Sequence, residues 1–175
     1  MPEIARLQTV AQMQALLGIV ALGSAYGFQY LGGLQPCALC LYQRWPWWAA
    51  IALGAAALFL RGRAMGLVLG LLASAVVLGG AGIAAFHVGV EQHWWPGLAS
   101  CGGVSDAPMT LEALKRQIMS APVVRCDEIP WSLFGISMAG YNALLSFAAG
   151  LGGVFLTWKY RDAGTRNAGT RNAGP

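Results

Sequence analysis

Charge is what this chain has least of. Charged residues make up 10% of its 175 positions, against about 25% in soluble domains. A surface that poor in charge excludes an ordinary water-soluble domain. The formal net charge of +4 would suit nucleic acid, but no Lys/Arg cluster is interleaved with aromatics, so a nucleic-acid groove is excluded as well. No nucleotide motif is present. A c-type haem site would need His directly after Cys40, where Leu41 stands. A zinc ribbon would need two close cysteine pairs, and only Cys37 and Cys40 are closely spaced.

What the chain has instead is apolar length: 57% of its residues are hydrophobic. Four stretches, about 15–34, 41–60, 64–86 and 133–158, each reach the ~20 residues a helix needs to cross ~30 Å of hydrocarbon. They predict an all-α membrane protein, a four-transmembrane-helix bundle within residues 1–162. Gly and Ala are frequent in these stretches and let helices approach closely; Gly79-Gly80 and Gly150-Leu151-Gly152-Gly153 fit tight packing. The first stretch offers small residues at Ala21-Leu22-Gly23 and Gly23-Ser24-Ala25, but it is read as a retained helix, because its removal would leave three spans.

Orientation follows from the basic residues. Arg6, Arg61, Arg63, Lys159, Arg161, Arg166 and Arg171 fall on one side, and Arg44, Lys115, Arg116 and Arg125 on the other. The richer side is expected to be cytoplasmic, with both termini and the Arg61–Arg63 turn. A short periplasmic loop at about 35–40 and a long one at about 87–132 then carry all four cysteines, at or beyond the membrane edge, in the compartment where disulfides persist. Trp45, Trp47, Trp48, Trp94, Trp95, Trp131 and Trp158 fit interfacial belts. In the long loop, Leu111, Leu114 and Ile118 recur on one helical face after a Thr110 N-cap, predicting a short amphipathic helix. The tail 163–175 repeats Ala-Gly-Thr-Arg-Asn and is expected to be disordered.

The chemistry concentrates at Cys37-Ala38-Leu39-Cys40, a Cys-x-x-Cys pair after Pro36 that opens the second apolar stretch. A helix N-terminus favours a thiolate, and the thiolate is the nucleophile in disulfide exchange. Arg44 follows Cys40 at i+4 and Cys37 at i+7, so in a continuous helix all three share a face. A guanidinium at the bilayer edge requires a partner: the Cys40 thiolate, an acceptor that becomes negative on reduction, or headgroups reached by snorkelling. Pro46 would clash with the Tyr42 carbonyl in a continuous helix and predicts a kink. Cys101 and Cys126 suit either a redox disulfide or a structural staple. His87, with Glu91 at i+4, suits a quinone hydrogen bond, a proton relay, or an interfacial histidine bonded to Glu91.

Taken together, Pro36-Cys37-Ala38-Leu39-Cys40-Leu41-Tyr42-Gln43-Arg44, His87-Val88-Gly89-Val90-Glu91 and Arg125-Cys126-Asp127-Glu128-Ile129-Pro130-Trp131 resemble the bacterial disulfide bond formation protein B (DsbB) family, the quinone-linked thiol oxidases. The likeness runs from the first apolar stretch through the fourth. It implies a bacterial inner-membrane thiol:quinone oxidoreductase that reoxidises a periplasmic thioredoxin-fold disulfide donor of the DsbA kind. Catalytic Cys37, Cys40, Cys101 and Cys126 would carry the electrons. Partner attack would fall on Cys101 of a Cys101–Cys126 disulfide, and Cys126 would then attack Cys37. Cys40, beside Arg44, would face ubiquinone, or menaquinone without oxygen, with His87 as a further quinone-binding candidate and no metal. Two alternatives are a reductive membrane thiol carrier and a non-enzymatic four-helix scaffold with structural disulfides.

Overall fold

The computed structural model describes residues 2–60, 62–101, 110 and 124–172. Among them run helices α1 (Pro2–Tyr30), α2 (Ala38–Tyr42), α3 (Arg44–Phe59), α4 (Arg63–Glu91) and α5 (Met138–Asn172), a 3-10 turn at Ala99–Cys101, and the short strands β1 (Ser132–Leu133) and β2 (Ile136–Ser137). Three helical segments, Arg6–Tyr30, Arg63–Glu91 and Met138–Asp162, are long and apolar enough to cross a membrane. Large apolar side chains such as Leu16, Val20, Phe59, Phe147 and Phe155 point outward on these helices and α3, as lipid contact requires. The chain is a membrane protein.

The expected second span, 41–60, is divided. Its helix breaks at Gln43 into α2 and α3, and Pro46 supplies the reason. It has no N–H to give the Tyr42 carbonyl, and its ring would collide with that group in an unbroken helix. Restarting at Arg44 puts Pro46 in the first turn of α3, where a missing N–H is tolerated. The restarted α3 has 16 residues, about 24 Å of rise.

The other spans differ from expectation at their ends. The first helix begins at Pro2 and stops at Tyr30, so the short connection is 31–37, not 35–40, and Cys40 lies inside α2. The third runs on to Glu91, so the long loop starts at Gln92 and His87 belongs to a buried helical turn. Residues 133–137, assigned to the fourth span, fold into an antiparallel hairpin pairing Ser132 with Ser137. Phe134 and Gly135 both take positive φ, 51° and 78°, as a two-residue hairpin turn of matching twist demands. The last helix continues to Asn172, through residues expected to be disordered; elongating an existing helix requires no new nucleus. The amphipathic helix expected over Thr110–Met119 falls, beyond Thr110, outside the described residues.

Small residues bring the helices together. α4 packs along α5, and α1 along α3. A Cβ on Gly80 would sit 2.9 Å from the Pro46 ring, and Gly150 and Gly153 are more crowded still, whereas Gly79 and Gly152 face open space. Leu22, Trp47, Ala50 and Val77 form one core cluster. Trp45 is 70% exposed and Trp47 only 3%, so Trp47 is a packing residue and not part of an interfacial belt.

Candidate active site

Cys37 terminates the irregular connection after α1 and N-caps α2, its sulfur accepting from the Cys40 backbone N–H at 3.2 Å. One helical turn later the Cys40 sulfur returns to within 2.8 Å of it. Both are free thiols. The hydrogen bond from the Cys40 thiol, reinforced by one from His87, holds Cys37 below the usual thiol range against the opposing effect of burial. The surroundings of Cys37 thus favour its thiolate.

Cys101 and Cys126 form a disulfide with a Cα–Cα distance of 5.3 Å. Cys101 closes the 3-10 turn, its N–H donating to the Leu98 carbonyl at 2.8 Å. The disulfide packs with Cys37, Leu39 and Val90 in a single buried cluster, with Cys40 at its margin. All four sequence-predicted cysteines are thus brought together. A groove of about 410 Å³ runs past Cys101 between Val90, Pro96, Leu98 and Arg125. On its rim Arg125 grips Asp127 with both ends of its guanidinium, 2.9 Å for Nε, and that bond holds the carboxyl down to about 2.

A second cavity, of about 430 Å³, is walled mainly by apolar groups including Leu22, Phe28, Trp131 and Leu145. Cys40 and Arg44 both line it. Arg44 makes no pair with the Cys40 sulfur among its described hydrogen bonds. Its Nη1 donates to Gln29 Oε1 at 2.8 Å, and its guanidinium lies 4.6 Å from the centre of the Tyr26 ring. The break at Gln43 ends the continuous helical face expected to carry Cys37, Cys40 and Arg44, yet the turn still delivers Cys40 and Arg44 to one cavity.

His87 does not line that cavity. It is 3% exposed; its Nε2 stands 3.6 Å from Cys37 Sγ and 4.0 Å from Glu91 Oε1. Glu91 is itself buried and accepts from the Ser137 hydroxyl at 2.5 Å. The donor atoms of Cys37, Cys40 and His87 lie within 4.8 Å of one another, a spacing a soft metal ion could use.

Sequence reasoning passed over the amides. Gln29 holds Arg44, and Gln43 and Asn142 bond each other beside the cavity. The available signal was their chemistry: carboxamides inside apolar spans are costly without partners.

Residues 8–156 match the family described as Disulfide bond formation protein DsbB. A protein named Disulfide bond formation protein B from Methylobacillus flagellatus is 33% identical over 152 residues, 81% of this chain and 90% of its own. Bearers of the same name from Methylococcus capsulatus and Haemophilus influenzae are 30% and 32% identical. The first alignment covers 78% of this chain and 85% of the relative, the second 70% of each. No solved structure matches the chain. With a family match across most of its length, two cysteine pairs in one cluster and membrane-spanning helices, the chain belongs to the DsbB family of disulfide bond formation proteins.

Proposed function

We propose that the chain is an inner-membrane thiol:quinone oxidoreductase. It reoxidises a periplasmic thioredoxin-fold disulfide donor of the DsbA kind and delivers the electrons to ubiquinone, or to menaquinone without oxygen. One observation carries this reading: Cys40 and Arg44 line an apolar cavity while Cys37, 2.8 Å from Cys40, packs against the loop disulfide. Thiol exchange at the loop disulfide and the proposed acceptor site among the helices would thereby be neighbours. In this reading α2 and α3 together complete the fourth crossing, since ~24 Å of α3 falls short of ~30 Å of hydrocarbon. The basic residues at the chain ends and the Arg61–Arg63 turn face the cytoplasm, and the cysteines face the periplasm.

The cavity suits a quinone headgroup. It falls within the ~300–1,000 Å³ typical of ligand pockets and is largely apolar with few polar groups. Cys40, Arg44 and the aromatic walls Phe28 and Trp131 would hold the ring. Bound there, a quinone supplies a sink for two electrons and two protons.

The residues of the chain do the rest. A partner thiolate attacks Cys101, beside the groove; the Cys101–Cys126 bond breaks, a mixed disulfide forms, and Cys126 leaves as thiolate. Cys126 attacks Cys37 of an oxidised Cys37–Cys40 pair, and Cys40 leaves. The partner's second thiol then closes its own disulfide and releases Cys101. Cys101 in turn attacks Cys126, restoring the loop disulfide and expelling Cys37. The outcome is a loop disulfide above a reduced Cys37–Cys40 pair. Oxidation of that pair closes the Cys37–Cys40 bond and releases two electrons and two protons. Arg44 stabilises negative charge that develops in the cavity.

The test is trapping. Cys126→Ser should accumulate a mixed disulfide between Cys101 and the reduced partner, and quinone reduction should stop. Cys101→Ser should give no adduct. An adduct that forms equally well without Cys101 contradicts the route.

A further inference from the structure

Behind Cys37 a chain of hydrogen bonds runs across three helices. Trp47 Nε1 lies 3.0 Å from Asn142 Oδ1. Asn142 Nδ2 lies 2.7 Å from Gln43 Oε1. Gln43 Nε2 lies 2.7 Å from His87 Nδ1, and His87 Nε2 lies 3.6 Å from Cys37 Sγ.

Amide orientations and histidine tautomers are ambiguous in isolation, but here both ends are pinned by groups with one possible role. An indole N–H only donates, so the Asn142 atom facing Trp47 is its oxygen, and its nitrogen faces Gln43. Gln43 must then present its oxygen to Asn142 and its nitrogen to His87. A second anchor gives the same answer: the Gln43 atom facing His87 also lies 3.3 Å from the Leu39 carbonyl, which only accepts. That atom is a nitrogen on both counts. A ring nitrogen facing an N–H donor must be unprotonated, so the His87 proton sits on Nε2, facing the acceptors Cys37 Sγ at 3.6 Å and Glu91 Oε1 at 4.0 Å, with the Cys126 backbone carbonyl as a further acceptor beside the ring.

We propose that Trp47, Asn142 and Gln43 are positioning residues that lock His87 as a neutral Nε2–H donor to the Cys37 sulfur. This rests on reading Cys37 as a redox thiol and adds how its thiolate is held. His87 then serves neither as the proton acceptor for Cys37 nor as a ligand of the acceptor cavity. It stabilises Cys37 both as leaving group and as nucleophile, and the lowered range of that thiol agrees. The lock also decides the metal question at Cys37, Cys40 and His87: the free lone pair of the ring is turned to Gln43, away from the thiols. Because Gln43 and Asn142 also line the cavity, the lock spans the wall between the acceptor site and the exchanging thiol.

The direct measurement is ¹⁵N NMR of histidine-labelled full-length protein in detergent, with the loop disulfide formed and Cys37 and Cys40 reduced. The chain has two histidines, and His93→Gln assigns the spectrum. At neutral pH His87 should show a protonated Nε2 and a bare Nδ1. An Nδ1–H tautomer or an imidazolium in the wild type overturns the proposal, whatever any variant does. The second readout is the pH profile of Cys37 alkylation, resolved from Cys40 by mass spectrometry. Cys40 from α2, and His87 and Glu91 from α4, are the titratable groups facing Cys37. Removing the ring by His87→Phe sets the full upward shift of the midpoint. Trp47→Phe and Gln43→Met should each recover part of it, about half to one pH unit, and the double variant should not exceed His87→Phe. A Trp47→Phe profile matching the wild type, alongside a clear His87→Phe shift, overturns the relay. Neither readout uses quinone or partner, so failure of the oxidase reading would show separately.

Discussion

Replacing Arg44 perturbs the acceptor side of the site and leaves the loop disulfide alone. The guanidinium is the one cationic side chain among the cavity-lining residues. It is held from two directions, by Gln29 Oε1 at 2.8 Å and by the face of Tyr26 at 4.6 Å, so its charge is oriented before any reaction. Losing a preorganised donor of this kind typically costs ~10²–10³ in rate, about 2.7–4 kcal/mol. Arg44→Ala should fall in that range, with part of the loss expressed as weaker quinone affinity because the ground state is also bound. Arg44→Lys keeps the charge but neither the planar fork nor the stacking on Tyr26, so it should recover only part. Gln29→Leu provides a graded control. It removes one hydrogen bond to a charged group, about 1.5–3 kcal/mol at most, while Tyr26 still holds the guanidinium; a loss of about tenfold is expected. In all three variants the Cys101–Cys126 disulfide should form and exchange with the partner as in wild type. The assay is steady-state quinone reduction across quinone concentrations, with partner exchange followed separately by gel. Unchanged rate and affinity in Arg44→Ala would refute the reasoning and leave Arg44 a snorkelling surface residue.

The membrane orientation is tested by an impermeant thiol reagent on intact spheroplasts: the reduced native cysteines should label and a cysteine placed at Gly62 should not, and the opposite pattern would invert the topology. Gly80→Val sets a branched side chain against the Pro46 ring, 2.9 Å from the position of its Cβ; thermal denaturation in detergent should show a loss of about 1–3 kcal/mol, and wild-type stability would mean that α3 and α4 do not meet there. Gly135→Val forces a β-branched residue to φ near 78° and should cost about 1–3 kcal/mol by the same measurement, whereas Gly152→Ala, which meets open space, should be neutral.

Much of this architecture was legible because lipid imposes a simple rule, apolar length. That rule found α1, α4 and α5 but not their ends, because hydropathy does not mark where a helix outlasts the apolar run. His87 and Glu91 therefore read as loop-edge residues, although their turn is helical and buried. Pro46 marked the break in the second span correctly, since its clash with a carbonyl four residues back is local chemistry. Cys37 and Cys40 could be named from their motif, Cys101 and Cys126 only through the family resemblance, but the packing of Cys37 against Cys101–Cys126 depends on a loop returning to a helix start, and no local pattern encodes that. The Cys40 thiolate, a reducible acceptor and the headgroups were the partners expected for Arg44; the side chains that hold it here, Gln29 and Tyr26, come from another helix. The amide chain through Gln43 and Asn142 is likewise a tertiary property, visible in sequence only as polar residues in apolar spans.

The central claim is that thiol electrons cross this chain to a quinone. Anaerobic stopped-flow mixing of the purified protein with reduced partner and ubiquinone measures it directly, following quinone absorbance and partner thiols in the same reaction. The account expects one quinone reduced for each partner disulfide made, with the loss of quinone abolished by Cys40→Ser. Partner oxidation with quinone absorbance unchanged, or quinone loss with partner thiols intact, would contradict it.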